Sequence, residues 1–356
     1  MQAIISGIQQ MGIGVPNVHE AWAWYRKYFG MDVPIFEEAA EANLMLPYTG
    51  GKPHQRHAVL AVNLQGGGGM EIWQYTSRTP QPPTFEPQLG DHGIYAARMK
   101  CKDIEGAFKF YQAEGVETLG GVQKDPSGNA VLLVKDPYGN IFQLYQSDNW
   151  FTDGKAYTGG PSGAVVGVSD IDAARKLYGE VLGYDTVVYD EEGTFADFAA
   201  LPGGDGNFRR VLLTHSQPRK GAFSRMMGVS MIELVVAKDR TPKKIFENRF
   251  WGDLGFIHLC FDIQGMDALR EQCKNAGFPF TVDSATAMGT AFDMGAAAGL
   301  FSYIEDPDGA LIEFVETHKI PILKKFGWYL SLTKRDPAKP LPNWMLKALS
   351  LNRVKD

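Results

Sequence analysis

The strongest constraint on this chain is that it repeats itself. Val15-Pro16-Asn17-Val18 leads into Ala21, Trp22, Tyr25 and Tyr28-Phe29-Gly30; 153 residues later, Val168-Ser169-Asp170-Ile171 leads into Ala174, Leu177, Tyr178 and Val181-Leu182-Gly183. In each copy an apolar run, Ile8 to Val15 or Ala164 to Val168, reads as a strand. A polar cap, an apolar stripe of 3.6-residue period and a glycine then read as a helix with its stop. A weaker pair follows the same plan. Cys101-Lys102-Asp103-Ile104 opens onto Ala107, Phe108, Tyr111 and Gly115, and Ile263-Gln264-Gly265-Met266 onto Leu269, Cys273 and Gly277. The chain therefore carries four strand-helix openings.

Strand-like runs follow the helices, among them Gly69 to Trp73, Ile141 to Tyr145, Ser230 to Leu234 and Leu311 to Val315. Two are entered through Asp136-Pro137-Tyr138-Gly139 and Asp306-Pro307-Asp308-Gly309, where proline pre-sets φ and glycine accepts positive φ, so both are tight turns. Four units of strand, helix and about three strands are thus expected, over roughly 5–80, 90–150, 160–240 and 252–320. Thr79 to Pro83, Gly159 to Gly163 and Lys238 to Pro242 read as linkers. At the domain level this gives 1–150, 160–320 and a tail over 321–356. In that tail Asn343 is expected to cap a short helix carrying Trp344, Leu346 and Leu349, packed on the body as a strap.

Composition narrows the partners. Lys plus Arg is 35 against 41 Asp plus Glu, a formal charge of −6, with no dense basic tract, so nucleic acid is not expected. No apolar run approaches the ~20 residues needed to span a bilayer, and Met1 to Ser6 lacks a basic leader, so the expected setting is cytoplasmic, without membrane contact. Cys101, Cys260 and Cys273 are odd in number and lack a CxxC spacing, which fits reduced buried thiols.

Four βαβββ units with a DPxG turn before the last strand resemble the vicinal oxygen chelate superfamily, which includes glyoxalase I, methylmalonyl-CoA epimerase, extradiol dioxygenases and bleomycin-resistance proteins. The resemblance covers about 1–320. It implies an α+β fold in which paired units curve into two open β-cups, with the helical tail added. It also implies a divalent metal held by inward side chains of the first and last strands. In such proteins the first-strand ligand lies seven positions before the residue that begins the helix. Transferred here, those positions are Gln10, Ala96, Gly163 and His258, and the last-strand positions are Glu71, Gln143, Glu233 and Glu313. If neighbouring units pair, each cup lacks a ligand. If the first unit pairs with the fourth, one cup holds Gln10, Glu71, His258 and Glu313, and the other keeps the degenerate set. The crossed pairing is therefore the expected one.

An imidazole, two carboxylates and an amide oxygen suit one divalent ion such as Zn²⁺, Ni²⁺, Co²⁺, Mn²⁺ or Fe²⁺. Glu71 and Glu313 are then ligands and candidate catalytic bases together. Trp73 and Tyr75, two and four residues past Glu71, share its face and are expected to line the cup as substrate-binding residues. The set points to a lyase or isomerase of glyoxalase or epimerase type that enolises a small oxygenated substrate. Two alternatives stay open: an extradiol ring-cleaving dioxygenase, whose second histidine is missing at Gly163, and a metal-free small-molecule-binding protein of the bleomycin-resistance kind. Glyoxalase I is also expected to carry a basic glutathione contact soon after its first ligand, and Met11 to Gly14 offers none. His92 reads as a rim residue, Trp22 and Trp24 as packing, and the glycines at 66–69 as a bend before Glu71.

Overall fold

Residues 3–288, 292–293, 298–323 and 328–354 are described by the structure, a computed structural model. The first unit runs β1 (Ile4–Gly14), α1 (Val18–Phe29), β2 (Val33–Glu41), β3 (Gln55–Val62) and β4 (Gly69–Tyr75). The second runs β5 (Gly93–Cys101), α2 (Ile104–Ala113), β6 (Thr118–Lys124), β7 (Ala130–Lys135) and β8 (Ile141–Gln146). The third has β9 (Thr158–Gly167), α3 (Ile171–Arg175, continued as a π-helical turn), β10 (Thr186–Gly193), β11 (Phe208–Thr214), a short α4 (Ser224–Met227) and β12 (Met231–Ala237). The fourth has β13 (Gly255–Gln264), α5 (Met266–Asn275), β14 (Val282–Asp283), α6 (Ser284–Met288), β15 (Phe292–Asp293), β16 (Ala298–Glu305) and β17 (Leu311–Leu323). The tail adds β18 (Trp328–Ser331) and α7 (Asn343–Lys347).

The helices start where the polar caps predict. Asn17 accepts from the amides of His19 and Glu20, Asp103 from that of Gly106, and Asp170 from those of Asp172 and Ala173. Gly265 offers no side chain to α5, and the Glu316 carboxylate, reaching across from β17, accepts the Met266 amide instead, at 2.8 Å. The DPxG turns are tied to the repeat. Asp136 accepts the Tyr25 hydroxyl of α1 at 2.6 Å, and Asp306 accepts Tyr178, its counterpart in the third unit, at 3.0 Å. Each of these aspartates also accepts two backbone amides of its own turn, and Gly139 and Gly309 take the positive φ that the turn requires.

The strands form two curled sheets, and the units cross over between them. One sheet runs β14-β16-β17-β13-β1-β4-β3-β2, with β15 and β18 added at its margins; the other runs β10-β11-β12-β9-β5-β8-β7-β6. The first unit therefore shares a sheet with the fourth through the antiparallel β1–β13 pair, and the second with the third through β5–β9. On the helix-covered outer faces, Met11, Ile13, Ile72, Leu259, Phe261, Phe142 and Val166 join the helices in one apolar cluster.

Two expectations are corrected. Gly159 to Gly163 is not a linker but the start of β9, and it lies against the glycines at 66–69: Gly68 donates to Pro161 O and Gly160 to Gly66 O, both at 2.7 Å. A Cβ at Gly160 would collide with the Gly68 carbonyl, so these glycines permit two backbones to touch where the sheets meet. In the tail, Asn343 is the first residue of α7 and accepts a bond from Arg225. Leu346 is buried as expected, whereas Trp344 is exposed.

Candidate metal centre

Strand register assembles the site. On β1, Gln10 lies opposite Cys260, and Gly12 is flanked by His258 of β13 on one side and Glu71 of β4 on the other. Glu313 of β17 pairs with Cys260 of β13. Alternation places Gln10, Glu71, His258 and Glu313 on the concave face, since the intervening Met11, Ile72, Leu259 and Ile312 belong to the helix-covered core. The four residues predicted as ligands are thus brought together from units that lie far apart in the chain.

The His258 Nε2 atom is 3.3 Å from Glu71 Oε2 and 3.1 Å from Glu313 Oε2. The Gln10 amide nitrogen donates to the same two oxygens, at 2.9 and 3.2 Å. Glu71, His258 and Glu313 can each offer a ligand atom within 4.8 Å of the others, and all three are buried. Burial pushes the His258 imidazole down, but the Glu313 and Glu71 carboxylates outweigh it and raise it to about 10. Burial works the other way on Glu313, and the facing imidazole overrides it, holding this carboxyl below its usual range.

A divalent cation fits these residues. His258 Nε2 lies close to two carboxylate oxygens without being aligned as a hydrogen bond to either, and Gln10 Oε1 has no partner. Both are neutral-ligand atoms, buried beside two carboxylates, and rotating the Gln10 amide by half a turn aims its oxygen at the same point. One imidazole and two carboxylates are a donor set for borderline divalent ions. On the far side of the imidazole, the Tyr303 hydroxyl lies 3.3 Å from Nδ1, the position of an orienting partner for a metal-bound histidine.

Trp73 and Tyr75 do lie on the Glu71 side of β4, as expected, but as buried side chains beneath another aromatic ring. Trp251 packs edge-on against Trp73 at 4.8 Å and stacks over His258 at 6.3 Å, with ring planes 14° apart; its carbonyl accepts the Tyr75 hydroxyl. Sequence reasoning missed Trp251, Tyr303 and Gly12. Trp251 sits in the segment before β13, which has no periodic pattern, although Phe250-Trp251 is an unusual pair for a solvated linker. Gly12 is small for a steric reason: a Cβ there would come within 2.5 Å of Cε1 and Nε2 of His258. The side chains of Glu71 and Glu313 retain 12% and 8% of their exposure, so the carboxylate edge of the site faces the remaining opening.

The other predicted positions lie in the second cup. Glu233 is fully buried, but two guanidinium groups hold it: Arg98 donates to Oε2, and Arg210 to Oε1 at 2.7 Å. The Tyr189 hydroxyl adds a bond to Oε1 at 2.7 Å, and Arg210 also forms a bidentate pair with Asp197. His92 lies between units, 3.5 Å from the Asp308 carboxylate. Outside the cups, His19, Glu37 and His57 form a second cluster with metal-ligand spacing among the described residues, its first two members exposed. No helix among the described residues is long and apolar enough to cross a membrane.

Comparison with solved structures shows the same fold at low identity. A point mutant of glyoxalase I from Zea mays superposes with a TM-score of 0.55 at 12% identity, covering 87% of this chain and 92% of that one. A putative dioxygenase from Bacillus subtilis subsp. subtilis str. 168 gives a TM-score of 0.54 at 12% identity, covering 88% of this chain and 86% of that one. A search of curated proteins finds no match. The family model described as Glyoxalase/Bleomycin resistance protein/Dioxygenase superfamily matches residues 7–144 and again 162–314. Carrying that pattern twice, on strands that cross over to build two cups, the chain belongs to the glyoxalase/bleomycin resistance/dioxygenase superfamily.

Proposed function

We propose that the protein is a metal-dependent lyase or isomerase that enolises a small oxygenated substrate in the cup formed by its first and fourth units. The observation that carries this reading is the buried convergence of Glu71, His258 and Glu313, with Gln10 beside them, at one point on the concave face. These four residues would hold one divalent ion, of the Zn²⁺, Ni²⁺, Co²⁺, Mn²⁺ or Fe²⁺ class. Such an ion supplies Lewis-acid polarisation of a carbonyl or carboxylate oxygen.

The chain's own residues do the rest. Glu71 or Glu313 takes the proton from the carbon α to that carbonyl and returns it to the product, as a positioned carboxylate at the edge of a polarised carbonyl can. Tyr303 holds the His258 ring in place, and Trp251 stacks on its face and keeps bulk water away. Trp251, backed by Trp73 and Tyr75 beneath it, forms the apolar wall against which the substrate rests.

The test is proton exchange. Metal-loaded protein is incubated in D₂O with α-hydroxy carbonyl, 2-oxo and acyl thioester compounds, and deuterium at the α-carbon is followed by NMR alongside dissolved oxygen. Exchange that disappears in Glu71→Gln and in Glu313→Gln is the expected result, and loss of exchange in a variant that keeps its metal identifies the base. Oxygen uptake with C–C cleavage and no exchange would make the protein a dioxygenase, and binding with neither would make it a sequestering protein.

A further inference from the structure

We propose that the second cup is a binding site for a small hydroxycarboxylate, held by Arg98 and Gln143. The two residues face each other in register across β5 and β8, and both are fully buried. Arg98 gives Nη1 to Glu233. Its Nε and Nη2, which together form the other edge of the guanidinium, have no partner, and neither Oε1 nor Nε2 of Gln143 has one. An unpaired buried polar group is costly, and native interiors rarely keep several side by side. One molecule with matching donors and acceptors would satisfy all of them at once.

The atoms describe that molecule. The Nε–Nη2 edge is a fork of two parallel N–H donors that matches the two oxygens of a carboxylate. Gln143 adds one further donor and one acceptor, so the ligand also brings an O–H beside its carboxylate. Inorganic phosphate is a poor fit, because one fork and one amide cannot meet its charge and lone pairs. Ala96 and Gly163 stand where the metal cup has large polar side chains, which leaves the floor of this cup to Arg98. Ile141, two residues before Gln143 on the same face of β8, lines a surface cleft of about 480 Å³ with Tyr95 and Leu201, a cleft that Arg98 and Gln143 themselves do not line.

The assignment is independent of the metal centre, and the experiment keeps it so. Chelator-treated protein is titrated with glycolate, acetate and inorganic phosphate by calorimetry. Saturable glycolate binding is expected, tighter than acetate and not displaced by phosphate. Gln143→Leu removes the amide while leaving the Arg98–Glu233 pair intact; it is expected to weaken glycolate about tenfold or more and, without ligand, to raise Tm by removing an orphaned buried group. Arg98→Lys keeps the charge but loses the fork, and the same loss is expected. Glu313→Gln, in the other cup, should bind glycolate as the parent does. Absence of saturable binding, phosphate binding as tightly as glycolate, or a loss of glycolate affinity in Glu313→Gln but not in Gln143→Leu would overturn the proposal, and acetate matching glycolate would overturn its hydroxyl.

Discussion

The two cups are built by the same pattern of strands, yet they solve the problem of a buried carboxylate in opposite ways. In the first, Glu71 and Glu313 face an imidazole and an amide, a group of side chains that can hold a metal ion. In the second, Glu233 keeps the corresponding position, but Arg98 and Arg210 already stand against it as permanent cations of the protein itself. A buried carboxylate needs a positive partner in either case. Whether that partner is a metal or a guanidinium decides which cup can do Lewis-acid chemistry. A glutamate in the ligand position is thus not evidence of a metal until its neighbours on the same face are known.

The largest effect expected from this contrast is on stability. Glu233→Gln takes from Arg98 its carboxylate partner and leaves Arg210 with Asp197, and removing one partner of a buried ion pair costs about 3–5 kcal/mol. Denaturant unfolding should show that loss while metal content stays unchanged; a fall in metal content with little loss of stability would erase the distinction between the cups. A smaller effect is expected from Gly12→Ala, whose methyl group displaces the His258 ring. Disturbing the support of a metal-bound histidine typically weakens metal binding about 10- to 100-fold, readable by titration with a chromophoric competitor. Unchanged affinity would mean that His258 is not a ligand.

A further effect is pH-dependent and belongs to the first cup alone. Asp262, four residues past His258 on β13, is fully buried and both of its oxygens lack well-aligned partners; burial pushes its carboxyl up to about 7. Its unfolded value is about 3.9, so between about pH 4 and 7 the folded protein keeps a proton that the unfolded chain has released. Stability from this group is therefore lost as pH rises through that window, and the penalty is complete above it. Asp262→Asn should raise Tm near about pH 8 and leave it unchanged near about pH 4. A gain of equal size at both ends would mean that the carboxyl does not titrate there.

The fold was legible because duplication is written along the chain. Asn17 and Asp170 mark equivalent helix starts, and the DPxG turns mark equivalent strand entries, so local signals sufficed. The crossed pairing was legible only through chemistry, as the arrangement that unites Gln10, Glu71, His258 and Glu313. What stayed hidden depends on contacts between distant segments. Arg210 lies on an inner strand that carries no ligand position in the repeat, and Arg98 lies two residues past one that does. Trp251 reaches His258 from a stretch with no periodicity to mark it, and the glycines of 66–69 and 159–163 are explained only by one another.

The most direct measurement is anomalous diffraction from crystals of the protein loaded with Zn²⁺ or Mn²⁺, for the parent and for Glu313→Gln. The account predicts a peak bounded by Glu71, His258 and Glu313 in the parent, lost or strongly reduced in the variant, with no peak beside Glu233 in either. Metal beside Glu233, or no metal between Glu71, His258 and Glu313 in the loaded parent, would contradict it.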